Sequence, residues 1–159
     1  FARCRTTRKS TSGGIVTMRQ HPIKTWSVNQ STIALSSGEA EYYGLVKGAS
    51  IGIGTNNLLA DMGIKVEPIE IGSDASAALG IARRQGSGRV RHIEVSQLWV
   101  QDKVSKQEII VKKVSGLENP ADGLTKHVEG DKLVSHIKAV SGCILPGRHS
   151  LMPKVEQDN

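Results

Sequence analysis

Three short runs of mixed apolar and polar residues open the chain, at 14–18, 23–28 and 31–35. The turn-forming segments Arg19-Gln20-His21-Pro22 and Asn29-Gln30 separate them, so the spacing predicts a three-stranded antiparallel meander. In the middle run, Ile23, Thr25 and Ser27 alternate imperfectly with Lys24, Trp26 and Val28, which predicts a strand without fixing its buried face. At Ser36 the period lengthens. Ser36 and Glu39 have capping-box spacing, and Ala40, Tyr43, Val46, Ala49, Ile53 and Leu58 follow as apolar positions of a long helix. Gly44, Gly48, Gly52 and Gly54 weaken its second half unless something packs closely against them.

Asp61-Met62-Gly63 closes that helix, and residues 68–73 form a short strand that runs directly into Asp74. A second helix is predicted from Ala75 to about Arg84, a flexible loop at Gln85-Gly86-Ser87-Gly88, and a third helix over 92–104 with Ile93, Leu98 and Val100 facing the core. Residues 107–114, with the triplet Ile109-Ile110-Val111, read as the last strand. Pro120 suits the first turn of a helical segment opened by Leu117-Glu118-Asn119. A further amphipathic helix is expected over 131–140. The expectation is one domain over 1–142 and a flexible tail over 143–159.

The 159 residues suffice for one domain with its own core, and 38% hydrophobic with 23% charged residues is a globular composition. No stretch approaches the roughly 20 apolar residues of a membrane helix, and no leader pattern opens the chain, so an intracellular, soluble protein is expected. Cys4 and Cys143 lie at opposite ends without zinc-ligand spacing and read as free thiols. His127, His136 and His149 also lack ligand spacing. The net charge of +6 favours a polyanionic partner. The first residue is Phe1, and FARCRTTRKSTSGG reads as the continuation of a longer protein.

Acidic residues fall at element junctions: Glu41 in the first turns of the long helix, Asp74 at the end of the short strand, and Asp122 in the segment after the last strand. Carboxylates at strand ends and helix starts can converge on one point and serve hard divalent cations. Two such ions about 3.5–4 Å apart activate water for phosphodiester hydrolysis. Each acid taken alone is a surface or capping residue.

The segments Arg8-Lys9-Ser10-Thr11-Ser12-Gly13-Gly14, Ala34-Leu35-Ser36-Ser37-Gly38-Glu39-Ala40-Glu41-Tyr42, Ser73-Asp74-Ala75-Ser76-Ala77-Ala78 and Asn119-Pro120-Ala121-Asp122-Gly123-Leu124-Thr125-Lys126 change that balance. In order and spacing they resemble the RNase H region of copia-type retrotransposon Pol polyproteins, and Arg91-His92-Ile93-Glu94 fits the same pattern. The resemblance spans residues 1 to about 128. It implies an α/β RNase H-like fold, a mixed sheet flanked by helices, with most of the central first strand missing here. It also implies a ribonuclease acting on RNA/DNA hybrids through two Mg2+ ions, or Mn2+ in their place, with no small-molecule cofactor. Glu41, Asp74 and Asp122 match three of the family's four catalytic and metal-binding acids. Glu41 is preferred to Glu39 by its place in the motif, and the two lie about 200° apart around a helix. The first-strand Asp has no counterpart, since residues 1–38 contain no acid. The loop 115–118 also lacks the His that cellular relatives carry before the last acid.

Arg83, Arg84, Arg89, Arg91 and His92 crowd around the glycine loop and read as a phosphate-binding cluster for the hybrid, against the plainer reading of a solvated loop. Trp26 and Trp99 read as packing residues, since aromatics are 3% of the chain. Beyond the hybrid, the resemblance implies an adjoining reverse transcriptase in the full polyprotein, no membrane, and a cytoplasmic or nuclear location, including virus-like particles. Because one acid is lacking, the expected activity of this chain alone is little or none. The alternative is a decayed or domesticated domain that binds nucleic acid without cleaving it. An integrase-like nuclease on the same fold is disfavoured by the ALSS-x-EAEY string.

Overall fold

The structure is a computed structural model that describes residues 6–86, 88, 93, 95–144 and 147. β1 (Thr11–Met18) and β2 (His21–Asn29) form an antiparallel hairpin around Arg19-Gln20, with Arg19 at φ 56° as two-residue hairpins favour. The third strand expected at 31–35 does not form. The Gln30 backbone amide donates to the Ser10 carbonyl at 2.8 Å, after which the side chain turns inward. The Leu35 amide is then taken by the Glu39 carboxylate at 2.7 Å, leaving this segment no ladder to join.

α1 (Ser37–Asp61) starts where the capping box predicts. Ser36 Oγ accepts from the Glu39 amide at 3.1 Å, while Glu39 reaches back to the Leu35 amide, so two orphan donors at the helix start are satisfied. It ends at Gly63, whose φ of 75° lets the Gly63 amide donate to the Ala60 carbonyl and the Ile64 amide to the Leu59 carbonyl, both at 2.9 Å.

β3 (Ile69–Ser73) pairs in parallel with β4 (Ile109–Lys113), in register Ile69 with Ile109. Between them run α2 (Ser76–Arg83), a 3-10 turn (Val95–Gln97) and α3 (Trp99–Ser105). The single long helix expected over 92–104 is corrected to that turn plus a short helix. Tyr42 Oη donates to the Gln97 carbonyl at 2.8 Å, and the Gln101 amide turns to Leu98 at 2.9 Å, so the ladder restarts there. Burial pushes the Tyr42 hydroxyl up to about 12. A second 3-10 helix (Pro120–Leu124) and α4 (Gly130–Ala139) follow. His136 on α4 is buried, and neither ring nitrogen has a hydrogen-bond partner among the described residues.

The architecture is thus mixed α/β, with small sheets flanked by helices, and among the described residues the strands divide into two two-stranded sheets. The core gathers Tyr42, Leu45 and Ala49 of α1, Leu79 and Ile81 of α2, Val100 of α3, and Ile109 and Val111 of β4. Both sheets meet α1 along one glycine face. A Cβ at Gly44 would lie 3.6 Å from Ser12, at Gly48 3.8 Å from Trp26, and at Gly52 3.0 Å from Ile69. Trp26 lies flat across its register partner Gly14, where a Cβ would stand 2.1 Å from the ring.

Gly14→Ala is therefore expected to destabilise the fold by about 1–3 kcal/mol, because the indole must leave its seat. Gly54→Ala, on the same helix with open space around it, is expected to stabilise by up to ~1 kcal/mol. Denaturant melts of the two variants check this, and equal effects would refute the close-packed glycine face.

Candidate active site

Glu41 is carried by the second turn of α1, held in place by the Ser36 cap. Its neighbour Glu39 is 2% exposed and structural, with Oε1 accepting from Tyr43 Oη at 2.6 Å and Oε2 closing the cap. Glu41 faces outward. Asp74 follows β3 directly, where Ser73 Oγ accepts from the Ala75 amide at 3.2 Å and bends the strand into α2. The Asp74 carboxylate lies against Gly116, at which a Cβ would stand 3.2 Å from Oδ2. Lys113 donates to the Asp74 carbonyl and, at 2.9 Å, to Ser76 Oγ. Asp122 sits in the second 3-10 helix, started by Asn119, whose Oδ1 accepts from the Ala121 amide at 3.2 Å. The hairpin holds that helix from the other side, through Ser27 Oγ donating to the Leu124 carbonyl at 2.6 Å.

Of the three acids of the sequence reading, Glu41 is the one whose carboxyl responds to the other two. Glu41 has its carboxyl raised above the ordinary value of 4.5, first by burial and then by the charges of Asp74 and Asp122, with Lys126 opposing them. Asp122 is buried and paired with Lys126 at 2.6 Å and Lys132 at 3.7 Å. Among the described residues no group of three or more His, Cys, Asp or Glu side chains is arranged to hold a metal ion. The Lys126 ammonium stands at the carboxylate of Asp122, the most buried of the three acids, in the position a cation would take.

Of the basic cluster, Arg83 and Arg84 are described, and Arg89, Arg91 and His92 lie outside the described residues. Arg83 commits one donor to the Val111 carbonyl at 2.8 Å, which leaves the rest of the guanidinium for other partners. Arg84 lies against Gly88, where a Cβ would stand 2.8 Å from the guanidinium carbon. The loop itself is pinned by Gln101, a residue the sequence reading passed over. Its Nε2 donates to the Ile81 and Gly86 carbonyls at 2.9 and 3.0 Å, and its Oε1 accepts from the Gly86 amide at 2.9 Å. Lys126 was also passed over as a site residue, although its spacing four residues after Asp122 is a legible signal for an ion pair. A cavity of about 610 Å3 lies elsewhere, lined among others by Gln30, Tyr43, Lys47 and Trp99, and by none of the three acids.

Comparison with curated proteins finds transposon Pol polyproteins among the relatives. The chain is 31% identical over 126 residues to the retrovirus-related Pol polyprotein from transposon TNT 1-94 of Nicotiana tabacum, covering 79% of this chain and 10% of that protein. It is 30% identical over 119 residues to those from transposons RE1 and RE2 of Arabidopsis thaliana, covering 74% of this chain and 8% of each. The chain thus spans about a tenth of the length of the curated relatives it matches. No family model matches it, and no solved structure matches.

The two neighbouring glutamates are expected to separate experimentally. Glu39→Ala removes the acceptor of the half-buried Tyr43 hydroxyl and of the Leu35 amide, at a cost of about 1–3 kcal/mol. Glu41→Gln acts in the other direction. A carboxyl whose folded value is raised keeps its proton longer in the folded state, so native stability falls as pH rises above about 4.5, the unfolded value. Glu41→Gln removes that loss, so it should melt no lower than the parent at neutral pH, with the difference closing on acidification toward pH 4.5. Thermal melts across that range test both, and parallel losses in the two variants would contradict the assignment.

Proposed function

We propose that this chain, homologous over three-quarters of its length to part of transposon Pol polyproteins, is their RNase H-like domain of copia type, which hydrolyses the RNA strand of RNA/DNA hybrids during reverse transcription. What supports the reading is that the charges of Asp74 and Asp122 both act on the carboxyl of Glu41. The three acids come from a helix, a strand end and a 3-10 helix. Accumulated negative charge at element ends is what a phosphodiester-cleaving site with hard cations requires.

Two features of the fold support a strand beyond these four. A pair of parallel strands rarely stands alone, and β3 and β4 keep exposed positions on a sheet of a kind that is normally covered on both sides. β1–β2 and β3–β4 also share no ladder, though both pack on α1. The reading places a central strand between them, and with it the fourth acid. Mg2+, or Mn2+ in its place, would enter that completed set, and a reverse transcriptase domain of the same polyprotein would deliver the hybrid within the cell.

The alternative is a domain that binds nucleic acid without cleaving it, decayed or domesticated. The pairing of Asp122 with two lysines favours it, because a carboxylate so occupied is not free for a cation.

Cleavage of a labelled RNA/DNA hybrid in magnesium decides between them. The 159-residue chain should show little or no activity, and a longer chain that includes the preceding strand with its acid should cleave. Asp74→Asn in the longer chain should abolish the reaction. Robust cleavage by the short chain, or near-parental rates after Asp74→Asn, would overturn this active site.

Binding has its own test. Replacing Arg83, Arg84, Arg89 and Arg91 together with Ala should weaken hybrid binding and flatten its salt dependence, each lost phosphate contact removing roughly 0.9 from the log–log slope of a B-form duplex, and less for a hybrid. An unchanged slope with unchanged affinity, in titrations at several salt concentrations, would return the cluster to a solvated loop.

A further inference from the structure

The disagreement between the acid group and a metal site has a local cause. The Asp122 side chain is 8% exposed, and a carboxylate so far from water needs a counter-charge. Lys126 supplies it at 2.6 Å, and the backbone enforces the contact. The amides of Thr125 and Lys126 both fold back onto the Asp122 carbonyl at 3.1 Å, which returns the Lys126 stem over the carboxylate. Lys132 approaches the same oxygen at 3.7 Å from α4, which packs against the 3-10 helix. Glu41, by contrast, is exposed, and Asp74 is half-buried. The two lysine contacts therefore fall on the acid least able to do without them.

The Lys126 side chain is 38% exposed, so its ammonium has a route back to water that the carboxylate lacks. A lysine suits this position because its charge sits at the end of a flexible stem, with no planar fork to lock it. Lys126 also opposes the charges that raise Glu41, so its field reaches a second member of the group.

We propose that Lys126, backed by Lys132, is the resident counter-cation of this acid group, and that a divalent ion can enter only by displacing the Lys126 ammonium from Asp122. The proposal rests on the reading of Glu41, Asp74 and Asp122 as one functional group. Its consequence is a domain whose acids are held together without metal, at the expense of metal affinity. An ion arriving at the site must compete with a tethered cation whose effective concentration is high because the chain returns it there.

The test uses the 159-residue chain and its Lys126→Met, Lys126→Arg and Lys132→Met variants. Mn2+ binding is followed by the loss of the free-ion electron paramagnetic resonance signal, and stability by thermal melts with and without Mn2+. Lys126→Met should melt lower than the parent in metal-free buffer, bind Mn2+ several-fold more tightly, and regain its melting temperature when Mn2+ is added. Lys126→Arg, which keeps the charge and adds a planar fork, should melt no lower than the parent and bind Mn2+ no more tightly. Lys132→Met should shift both in the same direction by less, because its nitrogen is farther from the carboxylate.

Equal Mn2+ affinity in the parent and Lys126→Met would overturn the proposal while leaving the nuclease reading intact. Absence of Mn2+ binding in every variant would also overturn the proposal, and the nuclease reading is then decided separately, by hybrid cleavage in the longer chain.

Discussion

The close approach of α1 to two separate sheets is the constraint on which the rest of the structure depends. Ladder hydrogen bonds hold each sheet internally, but among the described residues none joins one sheet to the other. Their relative position is set instead by the face of α1 that carries Gly44, Gly48 and Gly52 against Ser12, Trp26 and Ile69. This spacing also fixes the acids. From the contact of Gly52 with Ile69, Glu41 lies eleven helical residues back and Asp74 five strand residues on. At rises of about 1.5 Å and about 3.3 Å, both paths span roughly 16.5 Å. Glu41 and Asp74 are near enough for the Asp74 charge to act on the Glu41 carboxyl.

Elements whose termini carry their own chemistry were legible in the sequence. The Ser36 cap, the glycine stop at Gly63, the Pro120 turn and the run of residues into Asp74 all fall where local rules put them. What was not legible depends on partners distant in the chain. The segment 31–35 has strand composition, yet the inward turn of Gln30 and the Glu39 cap consume it. The helix expected over 92–104 is interrupted because Tyr42, more than fifty residues earlier, takes the Gln97 carbonyl. The four glycines of α1 read as weak points by propensity, and three of them are contact points in the fold.

The site divides in the same way. That Glu41 and not Glu39 faces outward follows from helical phase once the cap is recognised, since Glu39 is committed to Leu35 and Tyr43. The arginine loop announces its charge in the sequence, but nothing there announces Gln101, whose side chain makes three hydrogen bonds to backbone groups. A buried glutamine has no periodic signature. Its role emerges only when the end of α2 and the loop are seen to present backbone groups that need partners. The described start of the loop is therefore held at Gly86, even though its glycines would leave an isolated peptide free.

A carboxylate group of this kind sets two demands against each other. Charge gathered for a cation destabilises the fold while no cation is present, because burial and mutual repulsion both disfavour ionisation, as the raised Glu41 carboxyl records. A chain can relieve this by exposing its acids, which weakens any site they form, or by supplying a cation of its own. Here the two solutions are distributed by depth: Glu41 stays at the surface, and Asp122, the buried member, carries the lysine. The arrangement leaves the buried acid charge-paired within the chain itself. It also ties the accessibility of the site to the position of α4, since that helix carries Lys132 and packs on the 3-10 helix that presents Asp122. Whatever shifts α4 therefore changes the charge seen at Asp122 without touching an acid directly.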